Sequence, residues 1–375
     1  MMSIAAYRGK RKAYVSAESG TYYLPRLMVS RKNQVSHLGL ATVHLISRLE
    51  KQRRQRSLPV AFMPGFACNL ACEYCYQRTD PTHRSAKPVL SKGGPSYEDI
   101  AKFVSSVAAA HRVSNVNLSL LGGEPLMYRR QIREFVGALR DQTDISDISL
   151  VTNGTLLKEE NLTELMALGL SFAQVTFDGS RAFHDHFRSF KSGTGTYDAI
   201  MKNLVNLAAS HVKLEIRINL SAANILDCGE LIDDLAQCVS PEQVGVCLTL
   251  IDDTKFYSEP AQKGDVFFSQ YRNLVSYTSG KGFLVSLPGH SGLCRTCGNA
   301  DVPGGLVVTA DGKLYSCWDS AGQLGFEVGD VQNSFASDRH NHWVRCGYGS
   351  PDGAALHQRL ALEAIKAIEG ENETL

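Results

Sequence analysis

The sequence predicts an α/β chain in which parallel strands alternate with helices and curl into a barrel, followed by a smaller extension that carries cysteines. Three observations point there. From residue 58 onward, short strands (59–64, 115–121, 147–152, 172–178, 213–220 and 243–250) alternate with helical stretches (97–111, 127–139, 158–168, 196–209 and 225–237), the pattern of βαβ units. Several strands also divide into a polar and an apolar parity. Asn117 and Ser119, then Gln174, Thr176 and Asp178, then Glu215, Arg217 and Asn219 share the polar one, against Val116, Leu118, Leu120, Val175, Phe177, Ile216, Ile218 and Leu220. A parallel sheet covered by helices on both faces is apolar on both, so a polar face lines something wet or ligand-filled; a barrel with a functional lumen fits better than an open doubly wound sheet. Finally, the ten cysteines gather mainly in two groups, one at the end of the first of these strands and one beyond the sixth.

Residues 7–32 alternate apolar and polar around Gly20 and predict a hairpin, and the spacing of Leu38, Val43, Ile46 and Leu49 predicts a helix over 38–56. This preface, 1–57, is basic: 12 Lys/Arg against Glu18 and Glu50 make it +10 and leave −9 for the remainder of a chain of net charge +1. Lys10, Arg11, Lys12, Arg53 and Arg54 can steer an acidic peptide segment, nucleic acid or a membrane surface, or form a solvated face. The barrel is expected over 58–282 and the extension over 283–375, with a helix over 260–279, a hairpin over 305–317 turning at Asp311-Gly312, and a closing helix over 354–368. With 375 residues, 43% apolar and 21% charged, the composition is ordinary globular usage and excludes wholesale disorder, collagen-like repeats and coiled coil. No run approaches the roughly 18 apolar residues of a membrane span, and the start lacks the apolar core of a secretion signal. The expected location is the cytoplasm, where thiols stay reduced and clustered cysteines hold metal or do redox chemistry.

Cys68-x3-Cys72-x2-Cys75 falls in the loop after the first of these strands, a spacing that converges three thiolates on one centre. Zinc requires four ligands, and the nearest fourth is His83 in a Pro/Thr-rich segment that does not constrain it. Three cysteines on a 4Fe-4S cluster leave one iron open, which catalysis can use. Gly122-Gly123-Glu124-Pro125 follows the next strand directly; the glycines permit close approach of backbone to a ligand, and Glu124 can accept from an ammonium group. Thr152-Asn153-Gly154-Thr155 and Thr176-Phe177-Asp178-Gly179 end the two strands after that, at the carboxyl edge where barrels build ligand sites.

The triplet with Tyr74 before its last cysteine, followed by this Gly-Gly-Glu-Pro, resembles the radical S-adenosylmethionine (radical SAM) superfamily. The resemblance implies a partial (β/α)6 TIM-like barrel in which Cys68, Cys72 and Cys75 hold a 4Fe-4S cluster and SAM binds the open iron through its amino and carboxylate groups. Gly122, Gly123 and Glu124 resemble the motif that holds the SAM amino group. Arg217 is a candidate for the SAM carboxylate, with Asn219 or Asp178 near the ribose. Arg188, in a His184-Asp185-His186-Phe187-Arg188 run similar to that of related enzymes, competes for the carboxylate, with a surface salt bridge as its alternative. Tyr74 and Asn153 complete the expected cofactor-binding set, and no metal role falls to His184 or His186.

Cys294-x2-Cys297-x14-Gly312-x4-Cys317, with Cys346 beyond, resembles the SPASM and twitch extensions of peptide-modifying radical SAM enzymes, which hold auxiliary 4Fe-4S clusters. No dense cysteine run follows Cys317, so the count allows one auxiliary cluster; zinc remains the alternative. Cys228 and Cys238 are expected as small apolar residues, and Cys247 either packs or faces the lumen as a hydrogen-atom donor. The implied chemistry is transfer of one electron, from a donor such as flavodoxin or ferredoxin, through the reduced cluster to SAM, giving a 5′-deoxyadenosyl radical that takes a hydrogen atom from substrate. The implied substrate is a ribosomally made precursor peptide, in which the enzyme (a RiPP maturase) forms an intramolecular crosslink; a formylglycine-forming sulfatase-maturing enzyme and a peptide epimerase are the alternatives. Neither nucleic acid nor membrane is an implied partner. A non-catalytic electron-transfer or zinc module has no use for Gly-Gly-Glu-Pro and a polar lumen.

Overall fold

The computed structural model of the chain describes residues 57–75, 77, 94–251, 264–286, 300–301, 303–344 and 351–370, with the backbone of 13–14. Its elements in chain order are β1 (Ala13–Tyr14), β2 (Leu58–Met63), α1 (Tyr97–Ala110), β3 (Asn115–Leu120), α2 (Arg129–Arg140), β4 (Asp144–Thr152), α3 (Glu159–Ala167), β5 (Leu170–Phe177), α4 (Arg181–Phe187), α5 (Tyr197–Ala208), β6 (Lys213–Leu220), α6 (Cys228–Cys238), β7 (Val244–Leu250), α7 (Asp265–Gly280), β8 (Leu284–Ser286), β9 (Leu306–Thr309), β10 (Lys313–Tyr315), β11 (Glu327–Asp330), β12 (Ser334–Phe335) and α8 (Pro351–Gly370). The hairpin expected over 7–32, the helix over 38–56, the basic residues named in them and His83 lie outside the described residues.

The strands form one sheet in the order β1-β8-β7-β6-β5-β4-β3-β2-β9-β10-β11-β12. From β2 to β8 every pairing is parallel and each new strand joins at the same edge. Repeated right-handed crossovers in one direction curl such a sheet into a barrel. β9 pairs parallel with β2, and β10, β11 and β12 continue from it as an antiparallel meander. Both edges of β2 are therefore occupied, by β3 and β9, so β8 has no edge of β2 on which to close. The barrel is partial.

Alternation along the strands divides inside from outside. Val60, Phe62, Leu118, Leu150, Val175 and Ile216 are buried in the main core beneath the helices. The register sets Val151, Gln174, Glu215 and Gly245 side by side, and one step onward Thr176, Arg217, Cys247 and Ser286. Gln174, Thr176, Glu215 and Asn219 are all buried, which places the polar parity on the interior of the barrel. Across from them the inner face is apolar: Ala61, Met63, Phe66 and Leu121 form a second cluster with Val307, Tyr315 and Ala321 of the extension.

Local signals account for most boundaries. Ser96 caps α1, its hydroxyl accepting from Asp99 N while Asp99 accepts from Ser96 N (2.9 Å), a capping box. Pro125 opens a single 3-10 turn that leads into α2. β4 starts at Asp144 rather than at 147, because its first residues are polar and rest on pairing with β3 across an irregularity at Val116/Asn117, not on propensity. The helix α4 was not expected at all.

Candidate active site

The loop after β2 carries the cysteine triplet, and its first half continues the pairing of β2 with β3. Leu121 N donates to Phe62 O (3.2 Å), Gly123 N to Gly65 O (3.1 Å) and Glu124 N to Ala67 O (2.9 Å). Both glycines are required by this contact. Gly122 has φ +151°, and a Cβ on Gly122 or Gly123 would overlap the carbonyl oxygens of Gly65, Phe66 and Ala67. The close approach made by these glycines is thus to the cysteine-bearing loop itself. Glu124 is fully buried. Its Oε1 accepts from Leu126 N (3.0 Å) and Thr152 Oγ1 (2.8 Å), and its Oε2 from Asn153 N (2.8 Å). Burial raises its carboxyl above the ordinary range and these donors oppose the rise.

Cys68, Cys72 and Cys75 are half-buried. Burial raises the Cys68 thiol, with Glu124 and Cys75 adding to the rise, and pushes the Cys72 thiol up to about 12 against the opposing pull of Arg188. The Cys68 and Cys72 thiols therefore resist ionising unless a cation shares the site, which inverts the local electrostatics. Among the described residues no three Cys, His, Asp or Glu side chains gather as ligands of a single ion. A cluster binds each thiolate to a different iron, so its ligands stand farther apart than those of one ion, and three mutually sensing thiols on one loop fit that donor set. Leu70 N lies 3.4 Å from Cys68 Sγ, and Asn153 Nδ2 lies 3.6 Å from it.

On the far side of the triplet, Tyr74 is the hub of a network from β5, β6 and the end of α4. Its hydroxyl donates to Asp178 (2.6 Å to Oδ2) and accepts from Arg188 Nη1 (2.8 Å) and Asn219 Nδ2 (3.0 Å). Arg217 Nε donates to Asn219 Oδ1 (2.9 Å). Asp178 is fully buried and its carboxyl is raised by burial, with Arg188 pulling it back. Arg188 is buried too, which removes the surface salt bridge as its role, and among the described residues its buried Nε has no hydrogen-bond partner. A buried guanidinium donor left open fits an anionic group of a ligand.

The structure thus brings together Tyr74, Asp178, Arg188, Arg217 and Asn219 in one network and Glu124, Asn153 and Cys68 in another. Sequence reasoning missed Asn224, whose Nδ2 donates to Asp178 O and Asn219 O (both 2.8 Å) and ties the ends of β5 and β6, and Asn69, whose only signal was its place beside Cys68. Cys247 is buried within 3.2 Å of Thr249 Oγ1. Cys228 is buried and Cys238 half-buried. Cys317 is fully buried, and the turn after it brings Gly322 (φ +79°) onto the Phe66 ring, two residues before Cys68. Cys294, Cys297 and Cys346 lie outside the described residues.

Three thiols beside an open buried cation, at the carboxyl edge of a partial barrel, define an iron-sulfur barrel enzyme. A family model described as the radical SAM superfamily matches residues 62–224. The GTP 3',8-cyclase of Heliobacterium modesticaldum is 32% identical over 281 residues, covering 68% of this chain and 79% of that protein. The chain belongs to the radical SAM superfamily. Fe-coproporphyrin III synthase of Methanosarcina barkeri is 30% identical over 170 residues, 45% of this chain and 39% of that protein. A serine-type anaerobic sulfatase-maturating enzyme of Bacteroides thetaiotaomicron is 30% identical over 154 residues, 39% and 35%. The chain thus spans less than half the length of these last two relatives. Among solved structures, anSMEcpe with bound S-adenosylmethionine shares the fold at a TM-score of 0.60 and 16% identity, over 84% of this chain and 99% of that one. Streptococcus suis SuiB bound to its precursor peptide SuiA shares it at 0.50 and 18%, over 90% and 74%. The fold is therefore the partial barrel of this superfamily, whose members work with a 4Fe-4S cluster and SAM. Among the described residues no helix is long and apolar enough to cross a membrane.

Proposed function

We propose that the chain is a peptide maturase that abstracts a hydrogen atom from a residue of a ribosomally made precursor peptide and closes an intramolecular crosslink. The observation that supports this most directly is the fold shared with SuiB, solved with a precursor peptide bound, over 90% of this chain. When bound, the cluster supplies the electron that splits SAM into methionine and a 5′-deoxyadenosyl radical. Cys68, Cys72 and Cys75 are its ligands. Arg188, whose Nε is open, takes the SAM carboxylate in preference to Arg217, whose Nε is given to Asn219. Glu124 braces the Gly122-Gly123 loop with three of its roughly four acceptor positions and keeps the remaining one for the SAM ammonium. Tyr74, Asp178 and Asn219 form the wall beside the ribose.

Crosslinking removes two hydrogen atoms from the peptide. One passes to the 5′-deoxyadenosyl radical; the other leaves as a proton and an electron, and Cys294, Cys297, Cys317 and Cys346 would hold an auxiliary cluster that would supply the acceptor for that electron. Flavodoxin or ferredoxin supplies the first electron in the cytoplasm. In this reading 1–57 is a basic peptide-contacting preface, 58–282 the barrel and 283–375 the auxiliary-cluster extension. The relative from Bacteroides supports formylglycine formation as a second reading.

The test is anaerobic incubation of reconstituted protein with SAM, dithionite and the peptide encoded by a short open reading frame beside its gene. The expected products are 5′-deoxyadenosine and a peptide lighter by two hydrogens that does not react with hydroxylamine. Capture by hydroxylamine identifies an aldehyde and the formylglycine reading; unchanged mass with one inverted residue identifies epimerisation.

A further inference from the structure

Asn153 follows β4 and touches both loops that frame the site. Its backbone N–H donates to Glu124 Oε2 (2.8 Å), and its side-chain nitrogen donates to Asn69 Oδ1 (2.9 Å) and toward Cys68 Sγ (3.6 Å). One donor with no alternative fixes the orientation of this carboxamide. Thr155 N, a backbone nitrogen that can only donate, points at Asn153 Oδ1 (3.0 Å). The Thr155 hydroxyl donates to the same oxygen (2.7 Å) and accepts from Asn69 Nδ2 (2.8 Å). Asn69, Thr155 and Asn153 therefore close a ring of hydrogen bonds that can be read in one direction only. The ring uses one N–H of the Asn153 side chain and leaves the other for sulfur. Among the described residues Cys68 alone of the three cysteines receives a side-chain N–H. Asn153 is only 7% exposed, so this N–H acts in a medium where a hydrogen bond to charge is at its strongest.

We propose that Asn153 is a positioning residue for the cluster: it donates an N–H to the Cys68 thiolate, raises the reduction potential of the cluster, and ties that thiolate to the loop that carries Glu124. This rests on the reading that Cys68 is a cluster ligand. A hydrogen bond to a ligating sulfur draws electron density from it and stabilises the more negative, reduced state. The same side chain joins cluster and cofactor loops, so a change in one alters the register of the other.

The experiment is an EPR-monitored potentiometric titration of the reconstituted enzyme, with iron content measured in parallel. Asn153→Ala is expected to shift the potential of the triplet's cluster to more negative values by at least a tenfold change in the electron-transfer equilibrium, about 59 mV for one electron, with iron retained. Asn153→Asp keeps the shape and the Thr155 contacts but replaces the donor by a charge; it shifts in the same direction and carries the test if the alanine variant loses iron. Thr155→Val keeps the backbone N–H that orients the amide and is expected to stay within that margin. An unchanged potential in the iron-replete Asn153 variants overturns the proposal, as does an equal shift in Thr155→Val, which would trace the effect to loop distortion. Full iron content in Cys68→Ala would instead overturn the ligand reading beneath it.

Discussion

His184 is fully buried and uses both ring nitrogens inside the fold: Nδ1 accepts from Asp178 N (3.3 Å) and Nε2 meets Thr196 Oγ1 (3.0 Å). The Thr196 hydroxyl donates to Arg188 O (2.6 Å), so the proton shared with His184 belongs to Nε2 and the ring is neutral. Burial, with Arg188 adding, holds its pKa well below the ordinary value. Below about pH 6.5 the unfolded chain takes a proton that the folded chain refuses, so the contribution of His184 to stability is full above that value and is lost toward the lower folded one. The slope is about 1.4 kcal/mol per pH unit. His184→Gln should flatten the pH dependence of the urea midpoint between about pH 7 and about pH 5; profiles parallel to those of the parent would contradict this role. At this scale the inward set Asp178, Arg217 and Asn219 was legible because a strand alternates with period two, and Asn219 Nδ2 does reach Asp178 Oδ1 (3.2 Å). Tyr74 and Arg188 arrive from a loop and a helix end, where no period tells which side chain points inward. Only the family resemblance brought them to notice.

The short helix α4 shows why some elements escape a reading of the sequence. It has seven residues, two of them His and two Phe, and Ser180 makes no side-chain cap. Tertiary contacts hold it instead. Asp185 accepts from Thr196 N (2.7 Å) and Tyr197 N (2.8 Å), supplying to α5 the cap that the Thr196 side chain does not. Gly195 makes room for this, since a Cβ there would overlap the Asp185 carboxylate. Asp185→Ala should therefore destabilise the fold by about 1 kcal/mol, and because α4 leads directly into Arg188, SAM affinity should fall with it. Equilibrium denaturation and SAM binding on the same variant test the link: stability lost with affinity unchanged would separate the cap from the site. Strands β3, β5 and β6 were legible for the opposite reason, since a polar interior on one side and an apolar core on the other write an alternation into the residues themselves. The start of β4 was not: Asp144 and Ile145 are strand residues by their pairing with Asn115 and Val116, and Ser146 falls at the irregularity.

The extension is fastened to the barrel by β9 on β2 and by the cluster that joins Met63, Phe66 and Leu121 to Val307, Tyr315 and Ala321. The sequence announced the hairpin of β9 and β10 by its Asp-Gly turn, but not the edge it would join, because a pairing between residues so far apart leaves no local pattern. Met63→Ala should cost about 2–5 kcal/mol. The chain has two tryptophans, Trp318 and Trp343, and both belong to the extension and pack against these cores. Their fluorescence should lose its folded signal at the same denaturant concentration as far-UV circular dichroism, which follows the barrel helices. Two separate midpoints would show the extension to be an independent unit. A further consequence follows from the edge of β2 that β9 occupies. A closed cylinder admits a polymer only end first, by threading; a cylinder held split along one side can receive the middle of a long chain laid in sideways, with both ends outside. For a peptide substrate, the described strands then set no requirement that the residue modified lie near either terminus.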